Sequence, residues 1–170
     1  RAFDRYNVRW WLDFTSLQGV AVQSGELFPW EHSVQVGVLQ EDFEKYYEKV
    51  LARLHDCADA DKPVFWDAYT SASLKGKFQL KGEPRFWMDV SPWKTVPGEA
   101  GDMLVKAGWK RGDSHPEVVD VPRKDVLPLL PVKLLGVQCF MPAQPAAILD
   151  RRYGAQWREA TPPPYYRPDL

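Results

Sequence analysis

Hydrophobic and polar positions alternate most clearly over residues 34–39, VQVGVL, a valine-rich run with the period of two of a strand. Residues 41–55, EDFEKYYEKVLARLH, carry the strongest helical period. Phe43, Tyr46, Tyr47, Val50, Leu51 and Leu54 fall on one face, with acids early and bases late, as the helix dipole prefers. Residues 4–14, DRYNVRWWLDF, read as a helix end running into a short strand. In the next stretch Leu17, Val20 and Ala21 keep helical spacing until Gly25, and a Ser or Thr at its opening serves as an N-cap. Pro29 then holds Phe28 extended in a turn.

Further on, PVFWDAYTS and KGKFQLKG read as a hairpin or two short strands, the lysines of the second guarding a sheet edge. Residues 85–93, RFWMDVSPW, predict a strand ending at Pro92, and VPGEAGD a loop. Residues 128–142 mix prolines with an apolar strand in which Gly136 marks a bulge or a turn. Residues 145–154 open on Pro145 and close on Gly154, the punctuation of a short helix. The order is helix, strand, helix, strand, helix, several strands and a last helix. It predicts an α+β fold with one mixed sheet, spanning residues 1–157 as one domain. The tail from 158 to 170, ending TPPPYYRPDL, is proline-rich and polyproline-like.

With 170 residues the chain suits one domain with a real core. A net charge of −1 supplies no bulk basic field, so nucleic acid is not an expected partner. No apolar run approaches the ~18 residues of a membrane span. The first residues, RAFDRYNVRW, lack both a methionine and a signal-peptide plan. The chain reads as a processed or trimmed piece. Two cysteines, Cys57 and Cys139, make no disulfide framework; they read as two reduced, buried thiols, with a single bridge between them as the alternative. His55, Cys57, His115 and Cys139 are too scattered to spell a zinc site. The 8 tryptophans point to an aromatic-rich core, with a sticky partner surface as the alternative.

The stretch WLDFTSLQGVAVQSGELFPWEHSVQVGVLQ, residues 11–40, resembles the LicD and fukutin-like family, whose opening runs roughly W-L-D-F-G-T-L-L-G and then P-W-D-D-D-I-D-L-G. Trp11, Leu12, Asp13, Phe14, Leu17, Gly19, Pro29, Trp30 and Gly37 are in step with it. Asp89 matches a later strand that ends in aspartate. MPAQPAAILDRRYGAQW matches the family's C-terminal part through Pro142, Leu149, Tyr153, Gly154 and Trp157. The resemblance implies a nucleotidyltransferase-type fold. It also implies transfer of phosphocholine or phospho-sugar alcohols from nucleotide-activated donors to glycans, with Mg²⁺ or Mn²⁺ held by a D-x-D pair.

This chain departs from that pattern where the chemistry would lie. The D-x-D pair falls on Ser33 and Gln35, and Glu31 and His32 take the preceding acidic positions. The donor-loop glycine becomes Thr15, followed by Ser16. Each missing carboxylate removes roughly 4 kcal/mol of gross attraction per unit of metal charge, at ~4 Å and an effective dielectric of about 20. Thr15 also sets a branched Cβ where backbone would approach phosphate. The expectation is a catalytically degenerate domain with no cofactor, acting as a structural or binding accessory subunit of a larger protein assembly. Tyr165, Tyr166 and Arg167 are the candidate partner contacts. The competing expectation is an active metal-dependent transferase with a rearranged site built from Asp89, Asp13 and Glu31. The compartment is left open between the secretory pathway and an organelle such as a mitochondrion.

Overall fold

The structure is a computed structural model that describes residues 2–45, 49, 76–80, 83–107, 118–159 and 161–162. A short helix α1 (Ala2–Arg5) leads into strand β1 (Trp10–Leu12) and helix α2 (Phe14–Val22). Strand β2 (Ser33–Leu39) follows, and helix α3 opens at residue 40 and is described to 45. Strands β3 (Gly76–Leu80), β4 (Glu83–Val96), β5 (Met103–Lys106) and β6 (Val121–Pro122) complete the main sheet. A four-residue helix α4 (Arg123–Val126), a hairpin of β7 (Leu130–Leu134) and β8 (Val137–Met141), helix α5 (Pro145–Tyr153) and a 3₁₀ turn (Ala155–Arg158) close the described chain.

The long strand β4 organises the sheet. It pairs with β2 in parallel and, on its other edge, with β3 and then β5, both antiparallel. The order is β1-β2-β4-β5-β6, with β3 attached to β4, so the sheet is mixed and the fold α+β. Pro92 does not end β4, contrary to the sequence expectation; the strand runs on to Val96. The reason is local. The Pro92 carbonyl accepts from Ala107 N, so the edge of Pro92 that lacks an N–H faces the β5 side. There β3 has stopped pairing at Val90 and β5 begins only at Trp93, so the missing donor costs no ladder bond.

Each sheet face covers its own core. On one face Trp11, Leu39, Trp93, Leu104 and Val121 pack with Phe14 and Leu17 of α2, Ile148 and Leu149 of α5, and Trp157. On the other, Leu12, Val36, Val38 and Val90 pack with Phe3, Val8, Phe43, Leu134 and Cys139. Burying a side chain of this size contributes about 1.5–3 kcal/mol relative to leaving it exposed. Trp11, Trp93 and Trp157 are buried and Trp10, Trp30 and Trp87 half-buried, so most of the described indoles serve packing. Cys139 is a free, buried thiol.

Two glycines of the sequence motif are fixed by close approach. A Cβ on Gly37 would lie 2.4 Å from the Trp11 ring, and one on Gly19 would lie 2.8 Å from the Glu26 carbonyl oxygen. Over 128–142 the predicted strand is two strands, because Leu135 and Gly136 both take positive φ, 51° and 78°, and reverse the chain. The helix over 145–153 matches its punctuation, with Pro145 in the first turn and Gly154 as C-cap. Helix α2 begins earlier than predicted, and its N-cap is Asp13 rather than Thr15 or Ser16. An aspartate already extended at φ −131° and ψ 167° presents its carboxylate to the first free N–H group. The later part of the helix over 41–55, the segment PVFWDAYTS, and Cys57, His55 and His115 lie outside the described residues.

Candidate functional site

The sheet face beneath α2 changes character along its length. Ser33 is opposite Trp87 and Gln35 opposite Asp89; two and four residues on, Gly37 is opposite Ser91 and Leu39 opposite Trp93. Directly paired residues of neighbouring strands share a face, so Ser33, Gln35, Trp87 and Asp89 form one polar patch. The Trp11 ring over Gly37 separates that patch from the apolar core formed by Leu39 and Trp93. The first turn of α2, with Thr15 and Ser16, stands at the polar end, bonded to Gln35.

Asp13 points the other way, into the protein. It is fully buried, accepts from the backbone N–H of Phe14 at 3.1 Å and from the Trp93 indole at 2.9 Å, and pairs with the Arg152 guanidinium. Arg152 is itself buried. It lies 4.3 Å from the centroid of Phe14 and 5.2 Å from that of Trp93, and those two rings stack on each other. This packing holds Phe14 at φ 47°, a left-handed conformation that costs a bulky residue about 1–3 kcal/mol. The Arg152 Nε, also buried, has no hydrogen-bond partner, so the pair is not fully compensated. Of the residual catalytic candidates, Asp13 is therefore committed to the framework.

Gln35 fills the space over the donor loop. Its side-chain oxygen accepts from Thr15 N at 2.9 Å and from the Thr15 hydroxyl at 2.8 Å. Its own N–H donates to Ser16 Oγ at 2.8 Å, and its carbonyl accepts from Asp13 N at 2.9 Å. Ser33 is buried beside it. Glu31 is half-buried; burial pushes its carboxyl above the ordinary value, Thr15 and His32 pull it back, and the charge of Asp89 adds to the rise. Asp89, also half-buried, accepts from the Trp87 indole at 3.0 Å. The charge of Asp89 is thus felt at Glu31, while the Asp13 carboxylate is bonded to Trp93 and Arg152. His32 is exposed.

A divalent cation of the magnesium type requires hard oxygen ligands that include charged carboxylates. Among the described residues no group of three His, Cys, Asp or Glu side chains is placed to hold one. The Gln35 oxygen, the nearest substitute, is taken by two donors of Thr15. These residues do not fit the metal that the D-x-D pattern implies.

Sequence reasoning missed Arg152, Trp87 and Trp93. A signal for the first exists: on α5, Ile148, Leu149 and Arg152 are spaced to share one face, and all three are buried, which marks an arginine facing a core. The motif tryptophan, Trp157, is structural. Its indole donates to Asp150 at 2.6 Å, and its carbonyl accepts from the Gln18 side chain at 2.8 Å, tying the 3₁₀ turn to α5 and α2. Tyr165, Tyr166 and Arg167 lie outside the described residues.

A mixed sheet whose second strand and helix N-terminus carry this motif defines a nucleotidyltransferase-type domain. The sequence matches the family described as LicD/FKTN/FKRP, nucleotidyltransferase domain, over residues 7–144, and the chain belongs to that family. It is 23% identical over 147 residues to ribitol 5-phosphate transferase FKRP of Mus musculus, and equally to that of Homo sapiens. Each match covers 86% of this chain and 28% of the relative, so the chain spans little more than a quarter of those proteins. Among solved structures, the lincosamide antibiotic adenylyltransferase LnuA, in its lincomycin-bound crystal structure, superposes with a TM-score of 0.46 at 13% identity. That match covers 84% of this chain and 76% of LnuA. Among the described residues no helix is long and apolar enough to cross a membrane.

Proposed function

We propose that this domain is a catalytically degenerate member of its family that serves as a structural or binding module of a larger protein assembly. One observation carries the reading. The carboxylate kept from the donor loop, Asp13, is buried in an ion pair with Arg152, while the strand positions that would grip a metal are the neutral Ser33 and Gln35. The framework is retained and the donor chemistry is not. A binding role is further supported by the β7–β8 hairpin tip, where Leu135 and Val137 are 60% and 64% exposed. That tip is held by a bond from Leu135 N to the Gly25 carbonyl at 2.8 Å. Titration calorimetry with Mn²⁺ or Mg²⁺ and a nucleotide-activated phosphoalcohol tests the reading. No binding is expected, and micromolar metal-dependent binding rejects it.

A second reading has one observation in its favour: Glu31 and Asp89 lie close enough for each to feel the other's charge. On that reading the domain is an active transferase related in chemistry to the ribitol 5-phosphate transferases it resembles, with Mg²⁺ or Mn²⁺ as cofactor. It requires a metal-dependent transfer that Asp89→Asn abolishes; absence of turnover in the wild-type protein removes it.

A further inference from the structure

We propose that the Gln35 side chain is a built-in stopper: it occupies the end of α2 that a donor phosphate would otherwise face, and closes the loop from within. The proposal rests on the degenerate reading and deepens it. The first N–H groups of a helix have no intrahelical partner, and they draw oxygen atoms of any source. Here the oxygen comes from the protein itself. One residue, Gln35, makes four hydrogen bonds to residues 13, 15 and 16, two of them through a single side-chain oxygen.

The two departures from the family pattern at this point are bonded to each other. Thr15 stands where the pattern has glycine, and Gln35 stands where it has the second aspartate. Glycine at 15 would offer no hydroxyl. Aspartate at 35 is one methylene shorter, so with β2 held in register with Asp89 its carboxylate sits farther from Thr15. Each change is useful mainly in the presence of the other, so the two form a matched pair rather than two separate losses. The consequence is chemical. A phosphate entering here must displace an amide oxygen from both donors of Thr15, beside the carboxyl groups of Glu31 and Asp89, which disfavour an added anion. A neutral acceptor already in place suits those surroundings better than a charged guest.

Backbone amide exchange at Thr15, followed by NMR with and without pyrophosphate in metal-free buffer, tests this. Gln35→Met keeps the size and removes the acceptor, Gln35→Asp shortens the reach, and Gln35→Glu keeps an oxygen at full length. The Met and Asp variants are expected to exchange the Thr15 amide roughly tenfold faster than wild type, the equivalent of one neutral hydrogen bond, and the Glu variant to stay slow. Pyrophosphate is expected to slow Thr15 exchange in the Met variant and to leave wild type unchanged. Should the Met variant fail to fold, the contrast between Asp and Glu carries the same information. Unchanged Thr15 exchange in Gln35→Met or Gln35→Asp overturns the stopper alone. Equal protection of wild type by pyrophosphate also overturns it. Metal-dependent nucleotide binding by wild type, read by calorimetry, overturns the stopper and the degenerate reading together.

Discussion

The two sides of the α2 N-terminus hold their polar groups in opposite ways. On the inner side an aspartate and an arginine are buried with two aromatic rings around them. On the outer side a neutral amide and a hydroxyl bond to each other, both half-exposed. Asp13 keeps the charge of the motif on the buried side, while Ser33 and Gln35 are neutral where the motif has aspartates. Folding and chemistry place different demands on the two sides of the same turn, and on the proposed reading this chain meets only the first.

The sharpest way to break that contrast is to remove the inner charge. Asp13→Ala leaves Arg152 buried without its counter-ion, and Trp93 loses an acceptor. Urea denaturation is expected to show a loss of about 3–5 kcal/mol, typical of an orphaned buried charge. Pairing the change with Arg152→Met is expected to recover much of the loss, because the burial penalty then disappears from both partners. A loss below 1 kcal/mol in Asp13→Ala would mean that the inner side is not the structural one.

The converse experiment restores charge on the outer side. Ser33→Asp with Gln35→Asp sets two carboxylates on the sheet face that already carries Asp89. Wild type is expected to show no thermal stabilisation by Mn²⁺. The double variant is expected to gain it, by about 2.7 kcal/mol at a concentration a hundredfold above its dissociation constant. Failure of the variant to respond, with folding intact, would show that the sheet face does not hold a metal even with two carboxylates restored.

Between the two sides stands the Trp11 ring over Gly37. Gly37→Ala places a Cβ 2.4 Å from that ring in a strand paired on both edges, which leaves little room to yield. Thermal unfolding is expected to report about 1–3 kcal/mol of destabilisation, as for other overpacked cores.

Much of this contrast could be read from the chain before folding. The alternation of VQVGVL and the proline and glycine around 145–154 fixed β2 and α5, because each is a local pattern. The neutral residues at 33 and 35 are visible because Pro29, Trp30 and Gly37 around them keep step with the motif. What could not be read is the pairing across distance. Arg152 lies 139 residues from Asp13, and no local signal says which carboxylate it meets. Nor could sequence tell that Pro92 sits at the changeover between β3 and β5, where its missing N–H is harmless. The bond between Thr15 and Gln35 is hidden for another reason: taken singly, each residue is only a departure from the motif, and their fit to each other exists only in three dimensions.

The smallest expected effect separates the sides by pH. Burial favours the neutral form of Glu31, so the folded protein holds that proton more tightly than the unfolded chain. Its contribution to stability is whole below the ordinary glutamate value of 4.5 and is lost as pH rises through the raised folded value. Asp42 behaves oppositely. Burial alone would raise its carboxyl, but the bonds and charge of Arg9, with the charge of Lys45, together lower it, so its contribution is present above 3.8 and lost as pH falls through the lowered folded value. Solvent screening keeps each contribution below about 1 kcal/mol. Denaturation midpoints of Glu31→Gln, measured from pH 4 upward, are expected to decline less than those of wild type, the two curves drawing apart as pH rises. Parallel curves would show that Glu31 is solvated rather than half-buried, and would remove the electrostatic part of the case against a phosphate guest.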